Sequence, residues 1–183
     1  MPPLRLPTLV LACLVAVAAL APAADAKTRH LWSTINICDS PKHPDAVGVA
    51  ARMPGDGTNR RMYMRFYVQY RGDDGKWRYV PKGGRSPWMS AGSARYSWSQ
   101  RGYTFGFDPP ATGAKFVMRG LVRYEWRRGK KVIKKTHRYT SAGHTTKGAD
   151  PAGYSSATCT LEGPPPQPPQ QPPYQDPNAQ PQG

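Results

Sequence analysis

The 183-residue chain reads as an all-β protein, an antiparallel sandwich of about seven to nine strands. Three observations point there. Apolar and polar residues alternate with period two through most of residues 27–162, and no window carries the stripe of an amphipathic helix. Glycine-bearing turn sequences recur between the alternating segments. The five Trp, the four Phe and nine of the ten Tyr also lie there, so the segment is a folded body and not a disordered basic tail. Roughly 136 residues is room for one domain with a modest core.

Taken in order, short strands are expected over 31–38 and 47–53, followed by a turn at Gly55-Asp56-Gly57. Residues 62–70 form the clearest strand. Met62, Met64, Phe66, Val68 and Tyr70 share one face, and Tyr63, Arg65, Tyr67 and Gln69 share the other. Asp73-Asp74-Gly75 turns the chain into a strand over 77–80, and an 81–87 loop carries the pair Gly83-Gly84. Strands over 94–99 and 103–107 are expected on either side of a turn at Arg101-Gly102. The second long strand spans 116–126. Phe116, Met118, Gly120, Val122, Tyr124 and Trp126 alternate with Val117, Arg119, Leu121, Arg123 and Glu125. Both long strands read as core on one side and water on the other. A hairpin at Arg128-Gly129 leads into 132–140, and a last strand covers 155–160.

The ends are different in kind. One positive charge at Arg5, an apolar run over 9–20 and the ending Ala24-Asp25-Ala26 are the marks of a signal peptide over 1–26, so a secreted protein is expected. Residues 164–183 hold nine Pro and six Gln, and the 163–183 tail is expected to be disordered with polyproline II character. No stretch after the leader approaches the ~20 apolar residues of a membrane span. Removal of the leader takes Cys13 with it and leaves Cys38 and Cys159. In an oxidising compartment two thiols in one small domain pair, here joining the first strand to the last.

The segment Phe107-Asp108-Pro109-Pro110-Ala111-Thr112-Gly113-Ala114-Lys115-Phe116-Val117-Met118 resembles the corner and following strand of immunoglobulin-like and fibronectin type III domains. In those a Pro/Gly/Thr loop precedes an aromatic that opens a long central strand. Phe116 stands where many of them have a tyrosine, without the hydroxyl of the corner hydrogen bond. A bridge between the chain ends also differs from the inter-sheet disulfide and buried tryptophan of antibody domains. The pattern runs over residues 30–160 and is similar to small secreted bacterial β-sandwich proteins of no assigned activity. The resemblance implies an immunoglobulin-like sandwich and implies no reaction.

The residues themselves assemble no reaction either. Most carboxylates sit in turns (Asp56, Asp73, Asp74, Asp108), and nothing singles out the pair a glycosidase needs. His30, His43, His137 and His144 lie on different elements, without the i, i+4 spacing of a helical zinc site. Ser141 precedes His144 without a nucleophile elbow. Phosphate-loop and dinucleotide fingerprints are absent. No catalytic residue, metal or cofactor is expected.

Charge is the remaining signal. Lys and Arg number 26 against 11 Asp and Glu, a net charge of +15. Were the 62–70, 116–127 and 131–140 strands neighbours, their outward sides would carry Tyr63, Arg65, Tyr67, Arg119, Arg123 and Lys135, with His137 and Tyr139. Arg127-Arg128-Gly129-Lys130-Lys131 would add cations at the adjoining hairpin. Guanidinium groups flanked by tyrosines suit anionic polymers. The expectation is a monomeric, secreted, non-catalytic module for an anionic envelope or extracellular polymer, or for a partner protein. Nucleic acid is disfavoured as a partner, because the chain is exported and carries no nucleic-acid fold signature. Two other classes stay open: an enzyme or enzyme inhibitor with its site in the 81–91 or 141–154 loops, and an assembly module acting through the Pro/Gln tail.

Overall fold

The computed structural model describes residues 30–167. The expected leader over 1–26, Cys13 and most of the Pro/Gln tail lie outside the described residues. Nine strands follow one another: β1 (Trp32–Ser40), β2 (His43–Pro54), β3 (Arg61–Arg71), β4 (Trp77–Tyr79), β5 (Met89–Ser93), β6 (Trp98–Gly106), β7 (Lys115–Arg128), β8 (Lys131–Tyr139) and β9 (Thr158–Glu162). All strand pairings are antiparallel. One sheet has the order β1-β2-β6, and the other is built on β4-β3-β7-β8 with β5 added to β3 and β9 to β7. Among the described residues no helix is long and apolar enough to cross a membrane.

Strand length explains the larger sheet. With 14 residues, β7 carries β9 along its first half and β8 along its second, while β3 occupies its other edge. The free side of β3 is shared by β5 near Met62–Met64 and by β4 near Gln69–Arg71. Between them the 80–88 loop closes the gap: Val68 N donates to Gly84 O and Ser86 N to Phe66 O.

The core lies between the sheets. Ile35, Val47, Val49, Ala51 and Met53 meet Met62, Met64, Phe66, Val68, Met118, Val122, Tyr124, Trp126 and Leu161. These are the inward members of the alternation, as the hydrophobic effect requires. The two large aromatics of β7 keep their polar atoms satisfied across the core: Tyr124 Oη donates to Trp32 O at 2.8 Å, and Trp126 Nε1 to Pro54 O at 3.1 Å. Unpaired, each buried group would cost about 1–3 kcal/mol. Cys38 on β1 and Cys159 on β9 form the expected disulfide, which ties one sheet to the other.

Four local expectations need correction. Residues 94–97 form a turn between β5 and β6, not a strand, because Ala94 is held by Arg60 O and in turn accepts from Asp56 and Gly57. Arg101-Gly102 is not a turn but the middle of β6, where Gly102 lies opposite Ala50. Met89–Ser93 is a strand that overlaps the end of the expected 81–91 loop. Phe116 is 41% exposed, so it stands at an end of the core face where cover has run out, and not as a packed corner.

Candidate functional site

Cross-strand pairing sets the side chains of the larger sheet in rows. Tyr63 lies opposite Glu125, which lies opposite Lys135. Arg65, Arg123 and His137 make the next row, then Tyr67, Leu121 and Tyr139, then Gln69 and Arg119. Directly paired residues point to the same side of a sheet. Tyr63, Arg65, Tyr67, Arg119, Arg123 and Lys135 therefore share the outer face, the one turned away from the core.

Rings and guanidiniums interleave on this face. Arg119 Cζ lies 4.3 Å from the ring centre of Trp77 and 3.9 Å from that of Tyr139. Arg123 covers Tyr67 at 5.0 Å. Arg127 sits 4.4 Å from Tyr63 and 4.7 Å from Trp88, and Arg65 lies 4.8 Å from Trp88. Each contact contributes about 0.5–1 kcal/mol when exposed and about 2 when desolvated.

Trp77, Tyr79, Arg85 and Trp88 were missed in the sequence. Trp77 and Tyr79 are two apart on β4, a spacing that could have placed them on one face. Trp88 and Arg85 reach the site through the 80–88 loop, for which periodicity holds no signal. Tyr67 and Gln69 were expected to face water but are only 8% and 6% exposed. Arg123 over the ring and the edge-on ring of Tyr79 at 5.6 Å cover Tyr67, and Arg119 Nε donates to Gln69 Oε1 at 2.9 Å.

The cations on this face are not equivalent. Glu125 Oε2 neutralises Arg127 at 2.6 Å. Arg119 is tethered to Gln69, and partial burial lowers its pKa from the ordinary value. Among the described residues Arg65, Arg85 and Arg123 form no ion pair. Arg65 Nε is buried without a hydrogen-bond partner. Arg65 and Arg123 are also directly opposite each other, a like-charge pairing that weakens a sheet.

Two shallow hollows flank Arg123. One of about 550 Å³ is lined by Tyr67, Tyr79, Val80, Pro81, Arg85 and Arg123, with Gly83-Gly84. The other, about 590 Å³, lies against Glu125, Lys135, Thr136 and His137.

The remaining histidines do not join this face. His144 stacks on Trp32 at 4.7 Å, beside the three-stranded sheet, and its backbone N donates to Ser155 Oγ. Among the described residues no three His, Cys, Asp or Glu side chains gather as a metal site would need. No protein-family model matches the chain, and no curated protein matches it either.

Proposed function

We propose that the protein is a secreted, non-catalytic binding module whose outer sheet face holds an anionic envelope or extracellular polymer. One observation carries this reading: Arg65, Arg85 and Arg123 stand together without a carboxylate partner, two of them directly opposed. Stacking on Trp88 and Tyr67 is all that folding gains from Arg65 and Arg123, and the repulsion between the two opposed charges works against that arrangement. An anion laid across it relieves the repulsion and satisfies the free N–H groups through charge-assisted hydrogen bonds. The chain's net charge of +15 favours the same class of partner at long range.

The resemblance to immunoglobulin-like and fibronectin type III domains is part of the proposal. The first, second and sixth strands in one sheet, and the third and seventh at the centre of the other, agree with that kind of sandwich. Domains of this architecture serve as binding modules on many surfaces, and here the sheet face carries Arg65, Arg119, Arg123 and Lys135 beside the cations of the β7–β8 hairpin.

The test is retention of the purified protein on immobilised heparin and on anionic cell-wall polymer. Elution is expected well above ~0.2 M salt, where the Debye length has shrunk to several Å. Arg65→Glu, Arg119→Glu and Arg123→Glu combined should abolish retention while the β-type circular dichroism spectrum persists. Elution of the native chain below that salt, or undiminished retention of the folded triple variant, would overturn the proposal.

A further inference from the structure

The hollow beside Tyr67 is better made than an electrostatic patch needs to be. Tyr67 lies between three arginines. Arg65 precedes it by two on β3, Arg85 faces it across an isolated bridge, and Arg123 covers its ring. The opposite wall is apolar. Tyr79 is 46% exposed, and Val80 and Pro81 continue the surface beside it. A phosphate or sulfate group alone would use the cations and leave this ring and wall in water.

The loop that builds the wall is fixed before any ligand arrives. Gly83 has φ of 78°, in the left-handed region that glycine adopts without strain. At Gly84 a Cβ would come within 2.5 Å of the Val80 Cβ, so the backbone there is packed against the wall itself. Buried Ser86 takes the Phe66 N–H at 3.0 Å and donates to Pro87 O at 2.7 Å. A volume of about 550 Å³ lies within the range of about 300–1,000 Å³ of small-ligand sites.

We infer that this hollow receives one acidic sugar ring of a linear, carboxylate-bearing polysaccharide. The C–H face of the ring packs on Tyr79, and its carboxylate pairs with Arg85 and Arg123. A planar carboxylate matches the guanidinium fork and takes two parallel hydrogen bonds from it. The chain of the polymer then crosses Arg123 toward Lys135 and His137, which line the second hollow. Single-stranded nucleic acid fits less well, because it stacks successive bases on open ring faces. On this sheet the rings of Trp77, Tyr63 and Trp88 are already engaged by Arg119 and Arg127. The inference rests on the anion-binding reading above and adds the class of polymer to it.

The experiment compares full-length protein binding to four probes of matched charge and length in 0.15 M salt: oligogalacturonate, sulfated dextran, poly-glutamate and single-stranded DNA. Oligogalacturonate is expected to bind at least tenfold more tightly than poly-glutamate. Tyr79→Ala, at an exposed site on a short strand, should weaken oligogalacturonate about tenfold and leave poly-glutamate within twofold. Arg123→Gln should weaken both. Equal affinity for the two carboxylate polymers, or an equal loss for both in Tyr79→Ala, would overturn the sugar site and leave the anion-binding face intact. Preference for sulfated dextran or DNA would likewise overturn it in favour of those ligands. Binding to none of the four would remove both the inference and the reading beneath it.

Discussion

Arg119, Arg123 and Arg127 stand at four-residue intervals on one face of β7, yet their surroundings make three different groups of them. Glu125 neutralises Arg127, Gln69 tethers Arg119, and Arg123 keeps its charge free. A charge-assisted hydrogen bond contributes about 1.5–3 kcal/mol, so Arg123→Gln should lower affinity for an anionic polymer roughly tenfold or more. Arg127→Gln should change it less than threefold. Glu125→Gln should strengthen binding, because it releases Arg127 and removes a negative charge. Titration of the three variants against one polymer checks the order. His144 is a second residue-scale case. Desolvation beside Trp32, and then the charge of Arg52, lower its pKa below the ordinary 6.5. The unfolded chain therefore takes up this proton first, and stability falls as pH drops from about 6.5 through the folded pKa. Asp56 acts in a separate window. Partial desolvation opposes ionisation there, but hydrogen bonds from Thr58 and the charge of Arg60 outweigh it. Its contribution is lost only below its ordinary value of 3.8. Melting temperature is expected to decline between pH 7 and pH 5, and the decline should be smaller in His144→Gln.

Among the elements, β7 organises the rest, and Gly120 lets it do so. A Cβ at Gly120 would lie 2.6 Å from Thr140 Cγ2 and 3.0 Å from both γ-carbons of Val49. Thr140 is buried and fixed by its hydroxyl, which accepts the Gly120 N–H at 3.0 Å. Gly120→Ala should therefore cost about 1–3 kcal/mol by overpacking, read as a lower urea midpoint at unchanged slope. The two long strands and the Arg128-Gly129 hairpin were legible because alternation over ten residues leaves little freedom of phase. The shorter elements were not. In 94–99 the alternation of small and aromatic residues suits a strand, but backbone hydrogen bonds to Arg60, Asp56 and Gly57 turn the chain there. In β6 a glycine looked like punctuation, whereas it is an exposed position within the strand, paired with Ala50 while Phe105 of the same strand enters the core.

At the scale of the molecule, Cys38–Cys159 joins the two sheets and closes a loop with a sequence separation of 121. The chain-entropy argument gives a bridge over such a loop at most about 4.7 kcal/mol. Cys38→Ala with Cys159→Ala is expected to lose about 2–5 kcal/mol, the range for native disulfides of small domains. Equilibrium unfolding of the double variant beside the oxidised parent measures it, and a loss under 1 kcal/mol would mean that the interlocked core alone holds the sheets. The charge is distributed as well as large. β8 carries Lys131, Lys134, Lys135, His137 and Arg138 along an edge strand, which discourages pairing with other sheets.

Composition and period determined the all-β class, the two long strands and their core faces, and, with Cys13 assigned to the expected leader, the pairing of Cys38 with Cys159. These follow from local rules: side-chain alternation, turn chemistry and the count of thiols. Which arginines stay free was decided only by the tertiary structure. Free charge depends on whether a partner such as Glu125 or Gln69 comes within hydrogen-bond distance, and strand register sets that distance. The hollow at Tyr67 belongs to the same class, because its wall comes from the 80–88 loop, whose course no repeating pattern encodes.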